Sequence, residues 1–346
     1  MSSTTPRVLM VLPNDGTGGM QAQVRLISEA LASSGSQVSV LIGGGTTKES
    51  VGGVAYLVAP PLLKWFGIPF LYALRRHARL LRADVVHGHG LRTGPFVALA
   101  RRRAKRFVTC HGIDPTAVPK GLLRLLRLLP VKVLACGPGP QSVLQTFGFT
   151  VGLLENATPP EWTPRTRSEF NERFGTTDDD FVALWPARFS AQKDHGSLLA
   201  FAQCLRDTNV VMVCCGDGPL RAQFESRIIA LGLERNFRTV DFVSDAAAWL
   251  PATDYFLLPS KWEGQPLVLL EAMRAGIPAV TWTTIGAELL PLSSHVASPE
   301  EGAARVLSWM NAPKSANVEI ETQRTIAAGH ALSIAISWYQ SLYYSY

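Results

Sequence analysis

Two glutamates stand close together in "KWEGQPLVLLEAM" (residues 261–273), Glu263 near its start and Glu271 near its end. The apolar run between them is typical of the buried start of a helix, where a carboxylate is costly unless it is hydrogen-bonded. Sugar hydroxyls would supply such bonds, Glu263 holding a hexose and Glu271 accepting from a ribose. The backbone that would complete the hexose site belongs to Gly264, Gln265, Pro266 and Leu267. The alternative is a surface helix with two solvated glutamates.

Two basic residues stand where a predicted strand gives way to a helix in "RFSAQKDHGSLLAFA" (188–202). Arg188 and Lys193 fall in the connecting loop, just before a helix predicted to begin near Asp194. Cations beside a helix N-terminus form an anion site, because the terminal N–H groups and the helix dipole add to their charge. A diphosphate would suit this site, whereas the alternative is a pair of solvated loop charges.

Glycine-rich turns follow two further predicted strands. In "CGDGPLRAQF" (215–224), Gly216 precedes Asp217 and a second glycine follows it, which leaves room for a ligand to approach the backbone. In "LPNDGTGGMQAQVRLISEAL" (12–31), Gly18 and Gly19 precede a helix, where an anion could lie against the first amides. Neither turn has the full phosphate-binding signature, so each alone also fits a plain turn.

Histidines end two other predicted strands. "TCHGID" (109–114) places His111 where its ring can hydrogen-bond a substrate hydroxyl or stabilise positive charge. His87 and His89 in "VVHGHG" end the neighbouring strand. Their spacing matches no common set of metal ligands, so histidines that line an acceptor site or are satisfied within the protein are favoured over a metal centre.

Ten short, Val-rich runs are typical of strands buried on both faces of a parallel sheet. They are RVLMVLP, QVSVLIGG, ADVVHGHG, KRFVTCHG and VKVLACG in the first half, and FVALWPAR, NVVMVCCGDG, FRTVDF, DYFLLPS and IPAVTW in the second. Helical patterns separate them, including residues 20–34, 92–103 and 138–147. The sequence therefore predicts an α/β protein with two doubly wound Rossmann-like domains, whose sheet-end crevices would face one cleft.

The chain length supports the same division. A chain of 346 residues exceeds the size at which a single hydrophobic core stops growing, which favours two domains. The Pro- and Thr-rich segment "ENATPPEWTPRTRSEF" (155–170) cannot continue a helix or a central strand, and it is interpreted as the linker. The domains are predicted over residues 1–156 and 157–330.

Composition narrows the class of protein. No run approaches about 18 uninterrupted apolar residues, and the start lacks a basic segment followed by a signal-like apolar core, so a cytoplasmic protein is expected. The five cysteines lack the C-x-x-C spacing of a zinc or redox site and are expected to be buried thiols.

Taken together, these motifs resemble glycosyltransferase family four, the retaining group of GT-B fold that uses nucleotide-sugar donors. The resemblance runs from the glycine turn through "ADVVHGHG", "TCHGID", "RFSAQKDHGSLL" and "CGDGPL" to "LLPSKWEGQPLVLLEAMRAGIPAV" and "ISWYQSLYYSY". It thus covers nearly the whole chain. The E-x₇-E block, preceded by "PS", is its most specific part. The chain departs from the family where "ENATPPEW" replaces the usual turn after Asn156, and at Gln265, where an apolar residue is common.

The resemblance implies a role for each matching residue. Arg188 and Lys193 would hold the donor diphosphate, with Gly18 and Gly19 facing it from the other domain. The ribose would bind Glu271, and the transferred sugar would contact Glu263, the 264–267 backbone and His111. The matching loop after the next strand contains Gly216 and Asp217. The last segment, 331–346, would be a helix crossing back to the first domain.

The mechanism implied by the resemblance is a front-face, retaining transfer of a hexose-type sugar. A diphosphate leaving group gains negative charge in the transition state, and two side-chain cations would stabilise it. No metal or other cofactor is therefore expected. The competing interpretations are a non-catalytic nucleotide- or sugar-binding protein, and an epimerase or phosphorylase of the same fold.

The distribution of charge along the chain indicates which surface the first domain binds. Residues 1–156 carry 18 Lys and Arg against 6 Asp and Glu, a net charge of +12, whereas residues 157–346 carry a net charge of −6. Segments 62–82 and 118–133 combine arginines with large apolar residues, and "RRRAKR" (101–106) adds a basic cluster. The first domain is expected to dock on an anionic membrane surface or to hold a glycan or lipid-linked acceptor, with no nucleic-acid partner. The alternative is that the leucines pack on the sheet and the arginines are solvated.

Overall fold

A computed structural model describes residues 5–46, 50–158, 162–283 and 285–344. The strands are β1 (Arg7–Leu12), β2 (Gln37–Gly43), β3 (Ser50–Val51), β4 (Val54–Ala59), β5 (Val85–His89), β6 (Lys105–Cys110), β7 (Lys132–Ala135), β8 (Gly152–Leu153), β9 (Phe181–Pro186), β10 (Val210–Cys215), β11 (Phe237–Val240), β12 (Phe256–Leu258) and β13 (Ala279–Thr281). The helices are α1 (Gly19–Ser33), α2 (Ile68–Leu80), α3 (Gly94–Ala98), α4 (Lys120–Leu128), α5 (Pro138–Thr146), α6 (Arg167–Phe174), α7 (His195–Gln203), α8 (Arg221–Ala230), α9 (Ala246–Trp249), α10 (Leu267–Ala275), α11 (Pro299–Asn311), α12 (Asn317–Ala328) and α13 (Leu332–Tyr344).

The chain divides into two compact units. The first comprises residues 1–157 and 331–346, and the second comprises residues 158–330. The linker predicted over 155–170 spans this division, although residues 159–161 lie outside the described part. Its end is not a linker: α6 begins at Arg167, because Thr166 and Glu169 form a reciprocal capping box that satisfies the first amides of the helix.

The first unit contains a sheet in the order β3-β4-β2-β1-β5-β6-β7-β8. Its strand pairs are parallel except for β3 with β4. Alternate residues of β1 lie on opposite faces of the sheet. Val8 and Met10 pack into the core that includes α1 and α13, and Leu9 and Val11 pack into the core that includes α2. Side chains buried on both faces explain why these strands appear in the sequence as continuous apolar runs.

The second unit contains two parallel sheets, β11-β10-β9 and β12-β13. An isolated parallel bridge between Ala183 and Tyr255 brings β9 beside β12. Cores lie on both faces, with Ala183 and Trp185 of β9 on one and Val182 and Leu184 on the other. The predicted α/β class with two Rossmann-like, parallel-sheet domains is therefore confirmed.

The ten predicted strands all form, with ends shifted by a few residues. The sequence analysis missed β3, β4 and β8. The helix predicted over 92–103 was wrong in extent, because α3 ends at Ala98 and the chain turns at 101–104 to enter β6. The side chain of Arg101, at the start of this turn, donates to the carbonyl of Ala83, which lies just before β5.

Candidate active site

The loop after β9 is held by the loop after β10. The backbone amide of Phe189 donates to the carbonyl of Asp217 (3.0 Å), and the amide of Ala187 donates to the carbonyl of Cys215 (3.0 Å). A Cβ atom added at Gly216 would lie 2.3 Å from the carbonyl oxygen of Ala187. The Cβ position of Gly216 is therefore filled by the backbone of the neighbouring loop, so this position requires glycine.

Arg188 lies in this tightly held loop, between Ala187 and Phe189, with its side chain exposed at the carboxyl end of β9. Asp217 is also exposed, and its carboxylate accepts from the amide of Gly218 (2.7 Å). The loop thus fixes the backbone position of a solvent-facing guanidinium beside a β-strand end.

Lys193 and Glu263 form an ion pair, although 70 residues separate them in the chain. The Nζ atom of Lys193 lies 2.6 Å from Oε1 of Glu263, which is 5% exposed. The same carboxylate accepts from Ser260 Oγ (2.5 Å) and from Gln192 Nε2 (3.3 Å). A buried carboxylate is stable when its charge is paired and its oxygens are hydrogen-bonded, and Glu263 meets both conditions. The alternative of solvated charges is therefore wrong for Glu263 and Lys193.

The backbone around Glu263 is equally constrained. Its amide donates to the carbonyl of Ile285 (2.8 Å). Gly286 has a φ of +91°, and a Cβ atom added there would lie 2.4 Å from Cβ of Glu263, so this position requires glycine. Together with Lys193, Gly286 fixes the position of the Glu263 carboxylate.

The segment that follows leads into α10. Gly264, Gln265 and Pro266 are buried, and Leu267 is half-buried at the first turn of the helix. Among the described residues, no side chain caps the N-terminus of α10 at Pro266. The amide of Leu269 donates to the carbonyl of Pro266 (3.2 Å), whereas the first amides, those of Leu267 and Val268, are donors available to a polar group.

Glu271 lies in the second turn of α10 and keeps part of its surface exposed. Burial raises the pKa of its carboxyl to about 7. Among the described residues no hydrogen bond or opposite charge offsets this burial. Glu271 therefore differs from Glu263, because its cost of burial remains uncompensated in the protein itself.

Two of the candidate residues in the first unit follow β1. Gly18 is the N-cap residue of α1 in extended conformation, and no side chain caps the helix there. Gly18 and Gly19 are exposed, and Asn14 accepts from the amide of Gly16 (3.1 Å) in the turn before them. The start of a 15-residue helix thus faces solvent with its first amides free of side-chain caps.

The three histidines form one cluster at the carboxyl ends of β5 and β6, in which His87 and His89 are buried and His111 is half-buried. Nδ1 of His89 lies 2.9 Å from Nε2 of His111, so one ring donates to the other. His87 bonds the hydroxyls of Tyr343 (2.6 Å) and Thr109 (2.7 Å). Burial lowers the pKa of His111 to about 4 and that of His87 to about 3, and it also lowers the pKa of His89. The rings are thus neutral near pH 7, and His87 is a structural residue that ties α13 to the sheet.

A cavity of about 500 Å³ opens at the same edge of this sheet. Its lining comes from the ends of β1, β5 and β6, the residues before α2 and the start of α4. The lining residues include Leu62, Leu63, Arg92, Ile113, Asp114 and Leu122. Both apolar and charged groups face this cavity.

The structure brings together some predicted residues and adds others. Lys193 and Glu263 are in direct contact, and Gly264–Leu267 continues from them. Sequence reasoning missed Ser260 and Gln192, which complete the environment of Glu263. Ser260 is the serine of the "PS" pair already noted before the glutamate, but only the fold shows its hydroxyl on the carboxylate.

Other expectations can be placed in the structure. Cys204 is exposed, so the expectation of buried thiols was wrong for this cysteine, whereas the other four cysteines are buried. Across the described ranges, no three His, Cys, Asp or Glu side chains are grouped so as to hold a metal ion. Nor does any helix in those ranges have the length and apolar character needed to cross a membrane.

Comparisons with known proteins match both units. The family model described as "Glycosyltransferase Family 4" matches residues 17–136, and "Glycosyl transferases group 1" matches residues 166–289. EpsF of Bacillus subtilis (strain 168), named as a glycosyltransferase, is 30% identical over 227 residues, 57% of this chain and 56% of that protein. The chain thus spans little more than half the length of this relative.

A second relative is the "UDP-Gal:alpha-D-GlcNAc-diphosphoundecaprenol alpha-1,3-galactosyltransferase" of Escherichia coli. It is 30% identical over 111 residues, 31% of this chain and 29% of that protein. Among solved structures, Alr3699/HepE of Anabaena, determined with UDP and glucose, superposes with a TM-score of 0.82 at 18% identity, covering 99% of this chain and 100% of that one. The two family matches and the shared GT-B fold agree with the motifs, and the chain belongs to glycosyltransferase family 4, the group 1 glycosyl transferases.

Proposed function

We propose that the protein transfers a hexose-type sugar from a nucleotide-diphosphate sugar to an acceptor, with retention of the anomeric configuration. The observation that carries this proposal is the contact between Lys193, which shares a loop with the exposed Arg188, and Glu263. The oriented carboxylate of Glu263 lies three residues before Pro266, at the uncapped start of α10. This arrangement supports binding of an anionic diphosphate next to a hydroxyl-rich sugar.

In this proposal the donor diphosphate binds Arg188 and Lys193. The sugar hydroxyls donate to Glu263, and the backbone amides of Gly264 and Leu267 donate to the sugar oxygens. Ribose hydroxyls donate to Glu271, which supplies the hydrogen bonds that its carboxylate lacks.

The donor nucleotide proposed is UDP. Both the Escherichia coli relative and the Anabaena structure carry UDP in their names. Leaving-group charge would be stabilised by the two side-chain cations, so no metal is required in this mechanism. The neutral His111 fits a role as a hydrogen-bonding partner of a sugar hydroxyl.

For the acceptor we propose a glycan or a lipid-linked sugar, reached from the cytoplasmic side with the first unit peripheral to the membrane. The name of the Escherichia coli relative specifies a diphosphoundecaprenol-linked sugar. The basic segments support this in part. Leu74 and Leu126 pack into the core, whereas Leu80 and Leu128 are exposed beside arginines of α2 and α4.

The test is product analysis after incubation with UDP-sugars in the presence of EDTA. Retained configuration and full activity are expected. An inverted anomeric centre, or activity that chelation abolishes and a divalent metal restores, contradicts the proposal. Lys193→Ala should lower kcat at least 100-fold, because the charge it stabilises grows toward the transition state. Arg206→Ala, which removes an exposed cation from the same unit, is the matched control and should leave kcat unchanged.

A further inference from the structure

The segment before α2 forms an exposed apolar tip, residues 63–68. Leu63, Trp65, Phe66 and Ile68 are 62%, 72%, 96% and 69% exposed. Isolated exposed apolar residues are common, but four within six positions, including a Trp and an almost fully exposed Phe, mark an interaction surface. None of these side chains has a role in the site described above other than Leu63, which lines the cavity.

The tip is held in place from the protein side. Gly67 has a φ of +76°, and a Cβ atom added there would lie 2.3 Å from the ring of Phe96. The fully buried Phe70 packs edge-on against Phe96 with ring centroids 5.4 Å apart. Trp65 and Phe66 have φ values of +52° and +56°, which non-glycine residues adopt where the surroundings impose them. Anchoring below the tip therefore presents these aromatic rings outward.

The charged residues of the tip and of α2 are all basic. On the exposed face of α2, Tyr72 is followed by Arg75, Arg76 and Arg79. At a rise of about 1.5 Å per residue, these arginines lie roughly 10 to 17 Å along the helix from Ile68. Segment 62–82 contains no Asp or Glu. Apolar and aromatic groups at one end of a helix and arginines farther along match the depth profile of an anionic membrane interface.

We propose that the tip inserts into the interface of an anionic bilayer while the arginines of α2 contact lipid headgroups. The basic cluster 101–106 is separate from the tip. It begins at the amino end of β6, whereas the tip lies at the carboxyl edge, and Lys105 and Arg106 donate to the carbonyls of Tyr343 and Ala98. The inserted part of the membrane contact is thus the tip alone.

The position of the tip beside the cavity indicates the chemical class of the acceptor substrate. This conclusion rests on the proposed function. Leu62 and Leu63, which line the cavity, are continuous with the tip. A cavity that opens beside an inserted tip faces the headgroup layer. The substrate class that fits is an amphiphile whose apolar chain stays in the bilayer while its sugar-bearing head enters the cavity beside Arg92 and Asp114.

The experiment is sedimentation of the full chain with two kinds of vesicle. One contains phosphatidylcholine alone, and the other contains phosphatidylcholine mixed with the anionic lipid phosphatidylglycerol. Binding to the anionic vesicles alone is expected. Trp65→Ser combined with Phe66→Ser should weaken it about a hundredfold, since burial of each large apolar side chain is worth about tenfold. Arg75→Gln combined with Arg79→Gln should weaken it about 25-fold, about fivefold per charge near an anionic surface.

The matched control removes two exposed apolar side chains from the second unit, Ile229→Ser and Leu292→Ser, which are 66% and 90% exposed. This variant should bind vesicles like the wild type. Equal binding to neutral vesicles, or unchanged binding of the tip variant, overturns the proposal. A concentration-dependent dimer that the tip variant abolishes, seen by sedimentation velocity, overturns it in favour of a second copy.

A thermal-shift titration with UDP separates this inference from the proposed function. The tip variant should keep the wild-type response to UDP, because no donor residue is changed. If vesicle binding fails while UDP still stabilises the protein, the membrane inference alone is wrong. If UDP does not stabilise the wild type but vesicle binding holds, the donor assignment is wrong and the membrane surface stands.

Discussion

Replacing Glu271 by glutamine should stabilise the protein while weakening donor binding. Burial raises the pKa of this carboxyl to about 7 from an ordinary value of 4.5. Between these two pH values the folded state binds more protons at Glu271 than the unfolded state does. The contribution of Glu271 to the free energy of unfolding therefore falls as pH rises from 4.5 to 7, and this loss is complete above pH 7. Glutamine has a similar shape and no charge, so Glu271→Gln removes the loss.

The size of the effect follows from the two pKa values. One pKa unit corresponds to about 1.4 kcal/mol, which gives a gain of about 3 kcal/mol at pH 8 as an upper limit. Partial exposure of the side chain reduces it. For a unit of this size, such a gain raises the melting temperature by roughly 6 to 12 °C. At pH 4.5 the two proteins should melt within about a degree of each other.

Thermal unfolding of wild type and Glu271→Gln from pH 4.5 to 8 measures this directly. Glu321→Gln on α12 is the control, because it removes an exposed carboxylate from the same unit and should leave the pH dependence unchanged. A difference between wild type and Glu271→Gln that does not grow with pH would refute the reasoning. For activity, Glu271→Gln should raise the apparent KM for the donor with little change in kcat. The reason is that an amide oxygen accepts a hydrogen bond from ribose less strongly than a carboxylate does.

Three further outcomes are expected. Because burial lowers the pKa of His87 and His111, the unfolded state binds more protons at these histidines below pH 6.5. In Glu271→Gln, which lacks the opposing contribution of Glu271, urea titrations should therefore show the free energy of unfolding falling from pH 6.5 to 4, by about 3 kcal/mol for His111 alone. Ser260→Ala should lower that free energy by about 1 to 2 kcal/mol at pH 7, because it removes a hydrogen bond to a buried carboxylate; a change within error would contradict the assigned contact. Gly286→Ala should cost at least about 2 kcal/mol more than Gly232→Ala, since both have positive φ but only the first meets a close neighbour. Equal losses in the two glycine variants would show that the close contact is relieved.

Strand positions could be predicted because their chemistry is local. A run such as "VVMVCC" (210–215) is buried on both faces, so every residue is apolar and the strand stands out in the sequence. β4 was missed although "VAYLVA" (54–59) is also apolar. Its burial is mixed along its length, and it pairs with β2 through contacts that no local pattern encodes. The extent of α3 depended likewise on where the chain must turn to enter β6.

The candidate site could be predicted as a set of residues but not as a set of contacts. Arg188, Lys193, Glu263 and Glu271 were identified from residue type and position. The pairing of Lys193 with Glu263 joins two loops across 70 positions, and the reason that Gly216 must be glycine lies in a backbone of another loop. These are properties of tertiary packing, and a single sequence gives no direct signal for them.

The two glutamates that the sequence singled out thus stand in opposite situations. Glu263 is already paired with Lys193. If the ammonium group of Lys193 binds the donor diphosphate instead, the Glu263 carboxylate needs other hydrogen-bond donors. Ser260 and Gln192 remain bonded to it, and sugar hydroxyls would replace the lysine, so its burial stays compensated throughout. Glu271 has no such partner among the residues that the structure describes, and a ligand that donates to it would supply one. A donor carrying both a hexose and a ribose would therefore satisfy both carboxylates, whereas a free sugar or a free nucleotide would satisfy only one. On this argument the intact nucleotide sugar is favoured over either fragment.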